Sequence, residues 1–553
     1  MHSFFIFVTG GIMSSLGKGI ASASIGTLLQ ARGYSVRMKK LDPYINVDPG
    51  TMSPYKHGEV FVMEDGCEAD LDFGHYERFT GIQCTADDSL TTGKVYEKVL
   101  LQERRGDYLG SDVQVVPHVT NEIKNFIMAG HECVDFTICE IGGTVGDIEG
   151  LPYIEAIRQL KISLGPDKAA CVHLTYLPYM KTSEELKTKP TQHSVKLLQG
   201  MGVQPDIILC RCEKKVSDEI KTKLSMFCNV NRENIVEALD AESIYFIPRR
   251  YHLAGLDRQV CIHFGLETPE LEEQTEAKIR ERWGSVEHAI RTPSKTVKIA
   301  VVGKYTKLKD AYISLSQAIC HGGIANDARV EIDWVDASAD QRDIENRLLA
   351  VSGVLAPGGF DISGAEGKIA AIKFAREKKI PFLGICFGLQ LAVIESCRNV
   401  GGATNATSRE FSDDGKIVID FMDKWELNGT IEARNPSGAK GGTMRLGSYR
   451  CKISADTLAH KIYATTETAE RHRHRFEVNI KKYNELFAKA GLHFSGMSAD
   501  GLLPEIVERQ DHPFFIATQA HPEFKSHPFA PHPLFSSFIK AAIDCSAQRA
   551  PHY

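Results

Sequence analysis

Phe4-Phe5-Ile6-Phe7-Val8-Thr9-Gly10-Gly11-Ile12-Met13-Ser14-Ser15-Leu16-Gly17-Lys18-Gly19 is an apolar run of strand length ending in a glycine-rich turn. A helical pattern follows, in which Ile25, Leu28 and Leu29 recur at helical spacing and Gly33 stands where such a helix would be capped. A turn of this kind between strand and helix turns backbone N–H groups and a helix N-terminus toward an anion, and Lys18 adds a point charge suited to nucleotide β- and γ-phosphates. The turn departs from the usual phosphate loop: its first glycine is displaced by one, and Gly19 stands where Ser or Thr would offer Mg²⁺ a hydroxyl. Carboxylates must then hold the metal. Asp72, in Asp70-Leu71-Asp72-Phe73-Gly74-His75, and Glu140, in Cys139-Glu140-Ile141-Gly142-Gly143, are the candidates; Glu140 closes a strand, where sites of open α/β sheets lie.

Outward from this unit, strand-length apolar runs at 36–41, 136–141, 171–174 and 207–210 alternate with helical patterns. Such alternation predicts α/β architecture with a mostly parallel sheet and helices on both faces. The stretch from Glu267 to about Arg291 is charged and helical and reads as a linker helix. At Val297-Lys298-Ile299-Ala300-Val301-Val302-Gly303 the alternation restarts, with further strands at 330–335, 354–356 and 381–383. The reading is therefore two α/β domains, 1–266 and 297–545, joined by 267–296, with a fraying tail after about Ala541. A chain of 553 residues is too long for one core, which agrees.

Composition excludes several classes. Hydrophobic residues make up 43% and charged residues 25%, as in ordinary globular chains, and no apolar run is long enough for a membrane span. The apolar N-terminus lacks a preceding basic region and reads as a strand, not a leader. A net charge of −6 gives no reason to expect nucleic acid. Fourteen cysteines are scattered without C-x-x-C spacing, which suits a reducing cytoplasm; Cys210 and Cys212 read as packed thiols.

One cysteine stands apart. Pro381-Phe382-Leu383-Gly384-Ile385-Cys386-Phe387-Gly388-Leu389-Gln390 reads as strand, sharp turn and helix, with Gly384 and Gly388 flanking Cys386 in the pattern that presents a nucleophile. A helix N-terminus beside the sulfur favours the thiolate. Gln519-Ala520-His521-Pro522-Glu523-Phe524 supplies a base, His521, and an orienting acid, Glu523. By itself such a stretch is more often a loop; paired with the elbow it completes a triad. Ala356-Pro357-Gly358-Gly359-Phe360 ends a strand with consecutive glycines, as a backbone oxyanion hole requires.

Longer stretches carry a family resemblance. Lys40-Leu41-Asp42-Pro43-Tyr44-Ile45-Asn46-Val47-Asp48-Pro49-Gly50-Thr51-Met52, Gly74-His75-Tyr76-Glu77-Arg78-Phe79, Glu103-Arg104-Arg105-Gly106-Asp107-Tyr108, Gly142-Gly143-Thr144-Val145-Gly146-Asp147-Ile148-Glu149 and Lys187-Thr188-Lys189-Pro190-Thr191-Gln192-His193-Ser194 resemble signatures of the CTP synthase family. The likeness runs from residue 3 to about 540. It implies a dethiobiotin synthetase-like, P-loop-like amidoligase domain followed by a class I glutamine amidotransferase domain.

The resemblance further implies that Ser14, Ser15, Leu16, Gly17, Lys18, Gly19, Lys40, Asp72 and Glu140 bind MgATP, with Asp72 and Glu140 as metal ligands. It places Asp147, Ile148, Glu149, Lys187, Thr188, Lys189, Pro190, Thr191, Gln192 and Lys223 at a site for UTP as substrate and CTP as inhibitor, shared with Ser14. It assigns glutamine to Gly359, Phe387, Gly388, Leu389, Gln390, Glu410 and Arg475, and hydrolysis to Cys386, His521 and Glu523. The loop from Lys440 to Gly447 resembles a lid over that site, and Pro54, His57 and Val60 match residues near the gate of an ammonia passage. GTP activation, a homotetramer and a cytoplasmic location are implied in the same way. The implied chemistry is transfer of the ATP γ-phosphoryl group to O4 of UTP, then displacement of phosphate by ammonia.

The chain departs from the family pattern at Asp361-Ile362-Ser363, where glycine and then arginine are usual, and at Ala520, where an aromatic is usual. Both departures sit in the amidotransferase domain, so GTP activation is the expectation they bear on. Two rival readings stand beside this one. A cobyrinate diamide synthase-like amidotransferase would lack the Lys-Leu-Asp-Pro-Tyr and Lys-Thr-Lys-Pro-Thr-Gln stretches, and a catalytically dead nucleotide-binding scaffold would not need an intact triad.

Overall fold

The computed structural model describes residues 3–266, 269–304, 309–360, 362–421, 424–427, 430–433 and 444–549. The chain divides into two compact units, Met1–Pro49 with Asp72–Glu287, and Gly50–Leu71 with His288–Tyr553.

The first unit is built on seven strands in the order Ile235–Leu239, Ile207–Cys212, Ala169–Leu177, Phe4–Gly10, Phe136–Ile141, Val36–Asp42 and Ser89–Thr91, every neighbouring pair parallel. Parallel strands covered on both faces read as unbroken apolar runs, which is why the periodicity of this half was so legible. Cys210 and Cys212 are fully buried in their strand, and burial pushes both thiols up to about 12, so they pack as inert apolar groups. The helix Lys18–Ala31 is buried from Ala21 to Leu29. Its small residues let it lie between the sheet and the helix Asp72–Thr80. It ends at Gly33, φ +93°, where the N–H of Tyr34 reaches the carbonyl of Leu29 at 3.1 Å.

Of the segment expected as a linker, Glu267 lies outside the described residues, and Pro269–Arg291 is a helix. Ile279, Trp283 and Val286 on one face of it are buried, with the Trp283 ring 5.2 Å from that of Phe79. The buried Arg32 ties to Asp257 at 2.7 Å and to Glu272 on this helix at 2.5 Å. Asp257 is the fully buried partner of the two, so its removal would cost the more, on the order of 3 kcal/mol.

The second unit has a nine-stranded sheet among the described residues. Ala328–Asp336, Lys295–Gly303, Gly353–Ala356, Phe382–Ile385 and Phe515–Thr518 run parallel; Pro504–Glu508, His493–Ser498, Arg445–Ile453 and Glu467–His474 extend it antiparallel. Neighbouring parallel strands bring the residues after Ile385 and after Thr518, 133 positions apart, to the same edge. The chain end departs from the expected fraying after Ala541. The helix Pro533–Arg549 continues because Leu534, Phe535, Phe538, Ile539 and Ala542 form a buried face, and Arg549 donates to the Val351 carbonyl at 3.0 Å. Among the described residues no helix is long and apolar enough to cross a membrane.

Candidate active sites

In the first unit the strand Phe4–Gly10 leads into the turn and the helix beginning at Lys18. That helix start has no side-chain cap: its cap residue is Gly17, at φ +98°. Ser14 and Ser15 are exposed on the turn, and Leu16 is buried beneath it. Lys18 donates to the Gly143 carbonyl at 2.7 Å; burial, above all, lowers its pKa against the pull of Glu140. A Cβ built on Gly19 would stand 1.9 Å from Asp72 Oδ1. Glycine at this position therefore leaves room for a carboxylate where the usual loop places a hydroxyl.

Around that carboxylate, buried Lys40 pairs with Asp72, with Glu140 at 3.0 Å and with Asp42 at 3.6 Å. Tyr76 donates to the second oxygen of Glu140. Burial raises Glu140 and Asp42 above the ordinary carboxylate range; the Asp72 charge adds to this and Lys40 opposes it. Crowded, dehydrated oxygens of one sign suit a hard dication. Among the described residues no three His, Cys, Asp or Glu side chains form a closed metal cage. Asp72 and Glu140 would thus hold part of a shell, as Mg²⁺ accepts when phosphates and water complete it.

Beside the turn, buried His173 links Thr9 and Ser194 through contacts of 2.8 Å on each ring nitrogen, and burial pushes it down to about 3, so it stays neutral. Ser194 lies on the helix Lys189–Gly200, which begins with Pro190 in its first turn. Thr191 donates to the Tyr176 carbonyl at 3.0 Å, and Gln192 to Thr188 at 3.1 Å. Lys187 pairs with Glu185 and, with a smaller effect from the Lys223 charge, lowers that carboxylate. Asp147, Ile148 and Glu149 are exposed at a short turn, where Asp147 accepts from the Thr144 N–H at 3.2 Å.

In the second unit Cys386 sits at φ +52°, ψ −102°, between the strand Phe382–Ile385 and the helix Phe387–Asn399, again without a side-chain cap. A Cβ on Gly388 would lie 2.2 Å from the Ala356 carbonyl oxygen, and one on Gly384 2.7 Å from the Ala517 Cβ. The glycines around the cysteine are thus required by close approach. The Cys386 N–H reaches the Thr518 carbonyl at 2.7 Å, tying the elbow to the strand that leads to His521. His521 Nδ1 meets Glu523 Oε1 at 2.7 Å, and its ring stacks on Phe524 at 5.3 Å. Burial disfavours the imidazolium, but Glu523 and the Cys386 sulfur together hold it up to about 10. The arrangement favours a charged imidazole beside the sulfur.

These groups open on a cavity of about 550 Å³ lined by Gly359, Gln390, Glu410 and Arg475, together with residues of Gly50–Val60. Gln390 is largely buried and donates to the Phe476 carbonyl at 2.9 Å. Phe387, Gly388 and Leu389 pack behind the elbow.

The sequence model described as "CTP synthase N-terminus" matches residues 4–266, and "Glutamine amidotransferase class-I" matches 307–541. A protein named CTP synthase from Granulibacter bethesdensis is 55% identical over 542 residues, covering 98% of each chain. One from Rhizobium meliloti is 54% identical over 543 residues, covering 98% of this chain and 99% of its own. The chain belongs to the CTP synthase family. It carries that family's synthetase and glutamine amidotransferase halves, and its activity is glutamine-dependent formation of CTP with ATP as co-substrate. A solved structure titled as the Trypanosoma brucei CTPS glutaminase domain with bound acivicin is 37% identical, covering 45% of this chain and 94% of that one, with a TM-score of 0.41.

Of the expected family residues, the structure gathers Lys18, Gly19, Lys40, Asp72 and Glu140 in one unit, and Cys386, His521, Glu523, Gly359, Gln390, Glu410 and Arg475 in the other. Asp361 and positions 440–443 of the expected lid lie outside the described residues. The run Arg471-His472-Arg473-His474-Arg475, which by itself suggests an anion patch, is largely spoken for. Arg471 is buried and meets Glu64 at 2.8 Å, while Arg473 meets Glu68 at 2.8 Å. Sequence reasoning missed that role of 50–71, for nothing local marks those glutamates. It also missed Gln519, whose amide lies 3.7 Å from the Cys386 sulfur, and Lys368. Lys368 reads as an ordinary helix lysine, yet it is buried and donates to the Pro357 carbonyl at 2.9 Å.

Proposed function

We propose that the two sites divide the reaction as follows. In the first unit Ser14 to Gly19 receive the ATP phosphates, and Lys18 and Lys40 supply positive charge. Asp147 to Glu149, Lys187 to Gln192 and Lys223 receive UTP as substrate or CTP as inhibitor, with Ser14 serving both nucleotides. Mg²⁺, held by Asp72 and Glu140, would neutralise phosphate charge. O4 of UTP is a poor leaving group. Transfer of the γ-phosphoryl group to it forms the C4–O–P linkage and releases ADP, work that consists mostly of positioning and charge neutralisation. Ammonia then bonds to C4, inorganic phosphate departs, and a proton is lost to leave the 4-amino group of CTP.

In the second unit Gly359, Phe387 to Gln390, Glu410 and Arg475 hold glutamine. The Cys386 sulfur attacks the side-chain amide, and the oxyanion accepts hydrogen bonds from backbone N–H groups at Gly359 and Phe387. His521 protonates the leaving ammonia and then activates the water that releases glutamate, while Glu523 holds the imidazole in place. GTP acts as activator, and four copies assemble in the cytoplasm. The observation that carries the reading is the 2.7 Å His521–Glu523 pair set beside a strained Cys386 in one cavity. Following CTP in mixtures of UTP, ATP, Mg²⁺ and glutamine tests it; glutaminase activity without CTP would refute it.

A further inference from the structure

Lys368 lies on the helix Ala365–Lys378 and is 3% exposed. Its ammonium has one hydrogen bond among the described residues, to the Pro357 carbonyl at 2.9 Å. It stands 3.4 Å from where a Cβ on Gly359 would be and 5.1 Å from the centre of the Phe387 ring. It therefore touches both segments whose N–H groups would face the oxyanion. An apolar side chain of the same length would fill this space without dehydrating a charge, so core filling alone does not account for lysine here.

We propose that Lys368 is a positioning residue of the glutaminase: its ammonium fixes the Pro357–Gly359 turn and adds positive charge on the side where the tetrahedral oxyanion forms. The inference rests on Cys386 being the nucleophile and on Gly359 and Phe387 lining the oxyanion hole. A fixed cation in a water-poor site acts on developing negative charge with little screening. Burial pushes Lys368 down to about 7; among the described residues the Cys386 sulfur pulls it back up and Lys304 opposes that. Its charge is thus lost as pH rises through that range.

The test measures glutamate release and CTP formation by the full-length enzyme carrying Lys368→Met, with Cys386→Ala as reference. The Met variant should melt no lower than wild type. Its glutaminase kcat should fall on the order of 10- to 100-fold with KM for glutamine nearly unchanged, since the support it gives the oxyanion turn matters only in the transition state. Synthesis of CTP from added ammonia should be unaffected. Lys368→Arg should recover part of kcat and extend activity to higher pH, because guanidinium does not titrate there. A Met variant with wild-type kcat, one that loses only KM, or failure of both variants to fold would overturn the proposal. If Cys386→Ala itself still released glutamate, the underlying nucleophile assignment would fall instead.

Discussion

The turns at residues 11–17 and at Cys386 solve the same local problem, a parallel strand passing into a helix, in opposite ways. The first takes seven residues, leaves Ile12 to Ser15 exposed, and bends through positive φ at Ile12, Ser15 and Gly17. The second takes a single residue, Cys386, 4% exposed and pinned by the Thr518 carbonyl. Both leave the helix start without a side-chain cap, so its N–H groups remain for a ligand. The length of the turn decides what that ligand can be. A wide, exposed turn can wrap a polyphosphate, and its surroundings are cations and carboxylates. A one-residue turn holds one sulfur rigidly against one imidazole.

The sharpest way to break this contrast is Cys386→Ala. Glutamine-dependent CTP synthesis should drop by on the order of 10⁴-fold or more, since residues of a catalytic unit fail together. Synthesis from added ammonia should stay within about twofold of wild type. Loss of both in a folded variant would end the division between the two turns.

Lys18→Ala probes the other side. Both glutamine- and ammonia-dependent synthesis should fall on the order of 100-fold, about 2.7 kcal/mol of transition-state charge stabilisation. Alkylation of Cys386 by a reactive glutamine analogue should persist. A variant making CTP at the wild-type rate would remove Lys18 from the phosphate site.

Glu523→Gln sharpens the elbow by a smaller amount. The imidazole is held up to about 10 by Glu523 and the sulfur against burial. Because that folded value is raised, the stabilisation is full below the ordinary histidine value and is lost as pH rises through about 10. With a neutral amide in place, the alkaline limb of kcat/KM for glutamine should move at least one unit lower, and kcat should fall on the order of 10- to 100-fold. An unmoved pH profile would show that Glu523 does not set the imidazole's charge.

The last prediction concerns the GTP activation proposed above. Ser363 follows the Gly358–Gly359 turn where the family usually has arginine, and a charge-assisted contact is worth roughly 1.5–3 kcal/mol. Half-maximal stimulation should therefore need on the order of tenfold to a hundredfold more GTP than in relatives with that arginine. Asp361→Gly with Ser363→Arg should strengthen the response. A titration matching those relatives, or no change on the double substitution, would leave the missing arginine without consequence.

Which parts were legible beforehand follows from the range of the signals. Phe4 to Gly10 and Phe382 to Ile385 announced themselves because strands buried on both faces must be apolar throughout. Cys386 announced itself because Gly384 and Gly388 sit where only glycine clears Ala517 and Ala356. Gly19 looked like a defect in the loop until Asp72, 53 positions later, was found in its space.

The sequence by itself determined the strand–turn–helix alternation and its restart at Val297, the residues that make each turn, and, through long matching stretches, the family. These are local: propensity, periodicity and glycine placement act within a dozen residues. Only the tertiary structure decided that Gly50–Leu71 folds with the second unit, where Glu64 and Glu68 neutralise Arg471 and Arg473. It alone extended that unit's sheet antiparallel, kept the last helix intact to Arg549, and buried Lys368 against Pro357. Each of those depends on pairing between distant segments, where a charge or a strand edge becomes meaningful only once its partner is in place.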